Sequence, residues 1–433
     1  MKKNARFLAV ELLEKTFKNN GYSNIQLNSG LENSELDERD KKLCSVLYYG
    51  VIERLITLDH IISQLTERPV QKIDSVVMNI LRIGIYQILY VDNIPDSASV
   101  NESVSLVKLF KKSSASGFVN AVLRKFIRNN KDYAVPRDIL ISSSIKYSAK
   151  TDFVDSLIAD YGIEKMDIIL SNALETPPIT VRLNNLKENP EEVMKNIGAE
   201  KIDIIPNCYR LKNGNVKSLE EFKQGYFHVQ DLSSQLCCMA LNPSENDRVL
   251  DLCSAPGGKA FTIAEMMNGK GEIYAFDLHK KRVELIKNGA ERLGILNIKT
   301  MTGNAMIFNE NLPKFSKILC DVPCSGIGVV RRKPEIKYKD FSDFERLPDI
   351  QYKILENALN YLETGGELVY STCTLRKAEN DNIVEKLLEN HKEIEGVSFL
   401  ENLGEPFGSY KASVFPNYFN SDGFFISKFR KLR

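Results

Sequence analysis

The chain has 433 residues, 43% of them hydrophobic, with 58 Lys and Arg against 57 Asp and Glu and a net charge of +1. That length exceeds one ordinary core, so two or three domains are expected, with ample apolar content to bury. The longest apolar runs are short and broken by charge, and the Met-Lys-Lys start leads into an amphipathic pattern, so neither a membrane span nor a secretory leader is expected and the cytoplasm is the expected compartment.

The first ~130 residues carry helical periodicity throughout. Leu8, Leu12, Leu13 and Phe17 form one stripe, and Val76, Val77, Ile80, Leu81, Gly84, Ile85, Ile88 and Leu89 another. Phe118, Val119, Val122, Leu123, Phe126 and Ile127 repeat on a third, which sets Arg124 and Arg128 on the opposite side. From Ser103 to Lys131 the chain has Lys108, Lys111, Lys112, Arg124, Lys125, Arg128 and Lys131 and no acid, a face suited to a polyanion and equally to plain solvation. Asn129 to Pro136 is a polar break and the first domain boundary. Beyond it, helical patterns at Asp152 to Tyr161 and Glu164 to Leu174, a strand-like ITVRLN, a helix opening at Asn189-Pro190 and a second strand-like stretch from Lys201 to Leu211 predict a small α+β module. From about Gly225 strand and helix alternate, which predicts a parallel sheet covered on both faces, with a late strand pair around Val397 to Leu400 and Phe424 to Phe429. The expected domains are 1–135, 136–225 and 226–433.

In such a sheet the first strand-to-helix turn holds the nucleotide part of a ligand. Here VLDLCSAPGGK ends a strand, Gly257 and Gly258 allow close approach, and Asp277 closes the next strand where an acid accepts from ribose hydroxyls. An adenosine-type cofactor is expected. The turn lacks GxGxxG spacing, which weakens a pyrophosphate reading and leaves a dinucleotide and S-adenosylmethionine both open at this point.

Eight cysteines without CxxC pairing read as reduced thiols, and four histidines with no second ligand cluster nearby predict no metal. Cys324 lies in a Pro-Cys-Ser-Gly turn, with Gly326 and Gly328 leaving room for a base and Asp321 placed to accept from an amine. Cys373 ends another strand, ahead of a helix expected to open near Lys377 whose amides would favour a thiolate. Cys44, Cys208, Cys237, Cys238 and Cys320 read as small core residues.

Together APGGK, PCS and TCT, in that order, with ARFLAVELL, RDKKLCSVLYYGVIERL, MNILRIGIYQILY, GFVNAVLRK, VQDLSSQ, RRKPEIKY and DGFFISK, resemble the two-cysteine RNA cytosine-5 methyltransferases, in particular the bacterial 16S ribosomal RNA enzymes of the B (Sun/Fmu) type. The resemblance spans nearly the whole chain. It implies an all-α NusB-like bundle, the small α+β module and a Rossmann-like α/β methyltransferase domain, with 16S ribosomal RNA as partner and no membrane or metal; a monomer is expected. It implies that Cys373 attacks C6 of cytosine and that Cys324 assists product release. By the same route Cys253, Ser254, Ala255, Pro256, Gly257, Gly258 and Lys259 would contact S-adenosylmethionine, Asp277 its ribose, and Asp321 the cofactor or target base. Lys259 would also neutralise charge near the nucleophile. The chain departs from the family at Asn304, where an acid usually meets the adenine edge, and at Lys333 and Glu335, which replace His and Asp in a basic run with Arg331 and Arg332. The same chemistry on transfer RNA, or a non-catalytic RNA-binding or antitermination role, are the rival readings.

Overall fold

The computed structural model describes residues 4–19, 23–66, 69–212 and 215–432; the Met-Lys-Lys start lies outside them. The described chain forms two compact units: residues up to Met166 with Arg332–Lys339, and Asp167–Arg331 with the residues from Asp340 onward. In this division residues 136–166, the start of the expected second stretch, go with the helices, and the small sheet goes with the larger unit.

The first unit contains α1 (Ala5–Asn19), α2 (Ser23–Glu32), α3 (Glu38–Glu53), α4 (Leu55–Leu65), α5 (Ser75–Tyr90), α6 (Asp96–Leu109), α7 (Ser116–Arg128) and α8 (Ile139–Tyr147). Asp37, Asp74 and Asp138 start α3, α5 and α8, their carboxylates accepting from first-turn amides that have no intrahelical partner. Most of the apolar stripes read from the sequence are buried, including Leu12 and Leu13 on α1 and Val119, Val122, Leu123 and Phe126 on α7, while Leu8, Phe17, Val76, Leu89, Phe118 and Ile127 pack partly buried against them. Gly84 is glycine because a Cβ there would lie 2.9 Å from Leu123 Cδ1 and Ser103 Oγ, where α5 meets α7 and α6.

The basic stretch is partly neutralised. Lys112 pairs with Asp74 at 2.6 Å and Lys131 with Asp96 at 3.0 Å, while Lys108, Lys111, Arg124 and Arg128 stay exposed. Residues 332–339 fold into this unit, where Lys337 donates to the Glu53 and Tyr147 carbonyls, both at 2.9 Å, and Glu335 accepts from Ser23 Oγ at 2.9 Å.

Helix α9 (Thr151–Asn172), broken at Gly162 (φ 79°), carries the chain into the second unit. There β1 (Ile179–Leu183), α10 (Pro190–Asn196), β2 (Glu200–Lys201), β3 (Cys208–Leu211), α11 (Glu220–Lys223) and β4 (Phe227–Val229) build an antiparallel sheet in the order β2-β3-β1-β4. The large sheet follows, with α12 (Leu232–Leu241), β5 (Arg248–Asp251), α13 (Gly258–Met266), β6 (Glu272–Asp277), α14 (Lys280–Leu293), β7 (Ile298–Thr302) and β8 (Phe315–Asp321). It is completed by α15 (Leu347–Tyr361), β9 (Leu362–Thr372), α16 (Asp381–Asn390), β10 (Ile394–Gly396), β11 (Lys411–Val414), α17 (Pro416–Phe419) and β12 (Phe424–Lys431).

Its order is β10-β12-β9-β8-β5-β6-β7, with β11 on β12. Strands β5 to β9 run parallel, as the alternating pattern predicts, and β10, β11 and β12 pair antiparallel, so the sheet is mixed. The strand expected at Val397 to Leu400 lies instead at Ile394–Gly396. Gly396 packs against the Tyr410 ring, which leaves no room for a Cβ; Val397 N–H still donates to Lys428 O at 2.9 Å, and the chain then leaves the sheet, with Leu400 at φ 51°.

Candidate functional site

Sheet order reverses between β5 and β8, which opens a crevice at the carboxyl ends of these strands. The turn after β5 enters it. Gly257 has φ 105°, a left-handed conformation that glycine adopts without cost, and a Cβ there would lie 2.4 Å from the Phe261 ring. The turn is pinned by Ser254 N–H to Phe276 O at 2.8 Å and by Gly257 N–H to Ser254 O at 2.8 Å. Pro256 follows a cis bond from Ala255, and Cys253 is half-buried. Asp277 is buried at the end of β6; Arg282 reaches both its Oδ2, at 3.5 Å, and Ala255 O, at 2.7 Å, tying acid to turn. Asn304 folds its side chain back to accept from Met306 N–H at 3.0 Å.

Sequence reading passed over Asp251, the last residue of β5. It is 1% exposed, and neither its carboxylate oxygens nor the Ser254 hydroxyl nor Gln230 Nε2 makes a hydrogen bond of normal geometry. Buried polar atoms without partners are costly and mark a place for a ligand. Burial pushes the Asp251 carboxyl up to about 7 with the Asp321 charge adding to it, while the Ser254 hydroxyl and Cys253 amide, near it but outside normal hydrogen-bond geometry, and the Lys259 charge oppose the rise only in part. A cationic or amine-bearing ligand would satisfy the Asp251 oxygens, and an acceptor on that ligand would be needed for the Gln230 amide. Beside them a Cβ on Gly258 would touch nothing closer than 3.9 Å, so the turn leaves space for that ligand.

Lys259 extends from α13 to donate to Asp321 Oδ2 at 2.7 Å and Ser234 Oγ at 3.2 Å, and lies 5.1 Å over the Phe424 ring. Burial opposes its charge, but the Asp321 carboxylate outweighs that and holds the ammonium above its ordinary range. The other Asp321 oxygen accepts from Ser371 Oγ at 2.9 Å, so β8, β9 and α13 meet at one ion pair.

The two cysteines leave neighbouring strands, Cys324 after β8 and Cys373 after β9, and their sulfurs stand 3.3 Å apart. Sidedness here is enforced by Gly328. Its N–H donates to Cys373 O at 3.0 Å, its carbonyl accepts from Gly423 N–H at 2.8 Å, and a Cβ on it would lie 1.9 Å from Gly423 O. Gly328 is thus required by this backbone packing, a constraint that the expectation of room for a base did not include. The sulfur of Cys373, followed by burial and the Glu379 and Asp321 charges, pushes Cys324 well above the thiol range. A 3-10 turn opens at Lys377, where a helix start was expected, with Glu379 and Asn380 N–H donating to the Arg376 and Lys377 carbonyls, and it leads into α16, which begins at Asp381. Arg331 is likewise 7% exposed and donates to Asn420 Oδ1 at 2.9 Å, which removes it from any exposed basic run. The remaining thiols are buried, and burial pushes Cys44, Cys208 and Cys238 up to about 12.

Residues 238–430 match the family model for 16S rRNA methyltransferase RsmB/F, and residues 3–128 match that of the NusB family. A relative in Bacillus subtilis (strain 168), a probable ribosomal RNA small subunit methyltransferase B, is 36% identical over 99% of both chains. The chain belongs to the RsmB/F family of 16S rRNA methyltransferases. Its fold is shared with the crystal structure of PH0851 (TM-score 0.83, 22% identity, 100% of this chain and 99% of that one). It is shared over 65% of this chain and 98% of the other with NSun6 from Pyrococcus horikoshii, solved with SFG (TM-score 0.59, 22% identity). RsmB/F enzymes are S-adenosylmethionine-dependent, and a sulfonium amino acid carries both the charge and the amine that the orphaned atoms around Asp251 lack. Among the described residues no helix is long and apolar enough to cross a membrane, and no group of three or more His, Cys, Asp or Glu side chains could hold a metal ion.

Proposed function

We propose that this methyltransferase modifies C5 of a cytosine in 16S rRNA through a covalent adduct between Cys373 and C6, acting as a cytoplasmic monomer. The observation that carries the reading is the pair of sulfurs 3.3 Å apart at the carboxyl edge of the parallel strands, beside the cofactor turn. C5 of cytosine is a poor nucleophile. Addition of the Cys373 thiolate to C6 forms an S–C6 bond and turns C5 into an enamine carbon. S-adenosylmethionine would supply the methyl group, its S–CH3 bond breaking to leave the neutral thioether; loss of the C5 proton to a base then lets the S–C6 bond break and the Cys373 thiolate return. Cys324, held as a thiol beside Cys373, donates to the leaving sulfur and assists release. Lys259 offsets the charge that gathers there.

In the same reading residues 253–259 contact the cofactor, with Asp251 and Ser254 meeting its amine, Asp277 its ribose and Asn304 its adenine edge. Asp321 fixes Lys259 and faces the cofactor or base. The target base has to leave its stack, because C6 is attacked from the ring face. The 1–135 bundle, through Lys108, Lys111, Arg124 and Arg128, and the 136–225 module supply phosphate and shape contacts.

Denaturing gels of Cys324→Ala and Cys373→Ala proteins incubated with 16S RNA and S-adenosylmethionine test the roles. A protein–RNA adduct should persist with Cys324→Ala and be absent with Cys373→Ala, and the opposite pattern reverses the assignment. Methyl transfer confined to transfer RNA would sink the ribosomal target. RNA affinity independent of salt would remove the basic face.

A further inference from the structure

Two consecutive residues outside this reacting set gather both thiol turns. Glu379 Oε2 accepts from the Ser325 amide and from Gln351 Nε2, each at 2.9 Å, and the same Gln351 nitrogen donates to Pro323 O at 3.0 Å. The residues on either side of Cys324 are thereby held by one carboxylate–amide unit. Asn380 does the same for the other turn: its Oδ1 accepts from Thr372 Oγ1 at 2.6 Å and its Nδ2 donates to Thr374 O at 3.0 Å, on either side of Cys373. The turns are joined directly by the Ser325 and Thr374 hydroxyls, 2.7 Å apart. Both residues are fully buried, and Glu379 is itself fixed by Arg376 Nη1 on Oε1 at 3.2 Å and by the Tyr370 hydroxyl on its carbonyl at 2.6 Å.

Resting on the two-thiol reading above, we propose that Glu379 and Asn380 are positioning residues that set the separation and aim of the Cys324 and Cys373 sulfurs. A buried carboxylate costs more to seal than apolar side chains of the same volume, and its retention is accounted for by the geometry it imposes. Each partner lies one residue from a cysteine, so any slack in the network moves a sulfur directly. Satisfied buried networks of this kind rigidify what they join, and both sulfurs have to meet one pyrimidine ring.

Full-length Glu379→Ala and Asn380→Ala proteins test this in two assays. One is steady-state methyl transfer to 16S RNA. The other, which needs neither RNA nor cofactor, is the rate at which diamide, accepting the two thiol hydrogens, joins Cys324 to Cys373 as a disulfide, read as a linked peptide pair by mass spectrometry. The expected result is kcat lower by about 100-fold with KM for RNA changed by less than about twofold, and disulfide formation slowed about tenfold. Glu379→Gln, whose side-chain oxygen still accepts from the Ser325 amide, should recover about tenfold of the lost kcat. Folded alanine variants with wild-type kcat and wild-type oxidation rate overturn the proposal. Where an alanine variant fails to fold, Thr372→Val decides, because it removes only the hydroxyl that Asn380 Oδ1 accepts from: slowed disulfide formation supports the brace and an unchanged rate overturns it. Methyl transfer surviving in Cys373→Ala instead overturns the two-thiol reading; the brace fails on its own when that variant is inactive and the alanine variants are unimpaired.

Discussion

The central strands carry charge at both ends, to opposite effect. At the amino end of β8, Glu367 of β9 takes Lys317 on one oxygen, Lys428 on the same oxygen at 3.0 Å and Arg430 on the other at 3.0 Å, so every charge in the cluster has a protein partner. At the carboxyl ends Asp251 and Ser254 are buried with no hydrogen bond of normal geometry, and the sulfurs of Cys324 and Cys373 face each other. Both clusters are rich in ionisable groups. What separates scaffold from site is satisfaction, since a buried polar group left open persists only where something else completes it.

Three substitutions would break or sharpen that contrast. Lys259→Met removes the ammonium that Asp321 holds in place, and methyl transfer should fall by about 10²–10³-fold, the scale of losing a preorganised charge next to reacting atoms. A steady-state assay checks it, and an unchanged rate would reduce Lys259 to a structural partner of Asp321. Asp251→Asn should act in two directions. S-adenosylmethionine binding, followed by calorimetry, should weaken by about 100-fold as the charge opposite the amine is lost. The cofactor-free protein should gain stability on the order of 3 kcal/mol at pH 8, because the folded carboxyl sits near 7, well above its unfolded value. That gain is complete above pH 7, shrinks as pH falls and vanishes near the unfolded pKa of about 4. Urea unfolding at pH 8 and pH 5 checks it, and a destabilised variant at pH 8 would mean that Asp251 is satisfied within the protein.

Much of this was legible in the sequence, for reasons that also mark the limit. The stripes of α1, α5 and α7 are local periodicities, and the cofactor turn and both cysteines follow apolar runs that end as strands, so each needs only a short window. Asp251 reads as an ordinary strand end, and only its burial without a hydrogen bond of normal geometry distinguishes it. Gly328 reads as room for a base until its approach to Gly423 O, 95 residues onward, is seen. Strand β11 and the displaced β10 depend on pairing with β12, and Glu379 and Asn380 act across separations of about 50 residues and 6–8 residues that no periodicity encodes.

Glu367→Gln is the smallest of the three effects and the cleanest control, because it touches the same strands at the end where nothing reacts. Methyl transfer should stay within about twofold of wild type, since a surface or scaffold change far from the reacting groups leaves the rate alone. Burial alone would raise this carboxyl, but the bonds from Lys317, Lys428 and Arg430 outweigh it and bring it down to about 2. A folded pKa below the unfolded value of about 4.3 means the stabilisation is present in full above pH 4.3 and is lost as pH falls toward 2. The variant should therefore be less stable by about 2 kcal/mol at pH 7, less than the whole shift implies because the amide still accepts a hydrogen bond, and the two proteins should converge as pH falls to 2. Urea midpoints across that range decide the matter. A difference that does not depend on pH would mean that Glu367 contributes packing and not charge, and satisfaction of ions would cease to be what holds the amino end of these strands together.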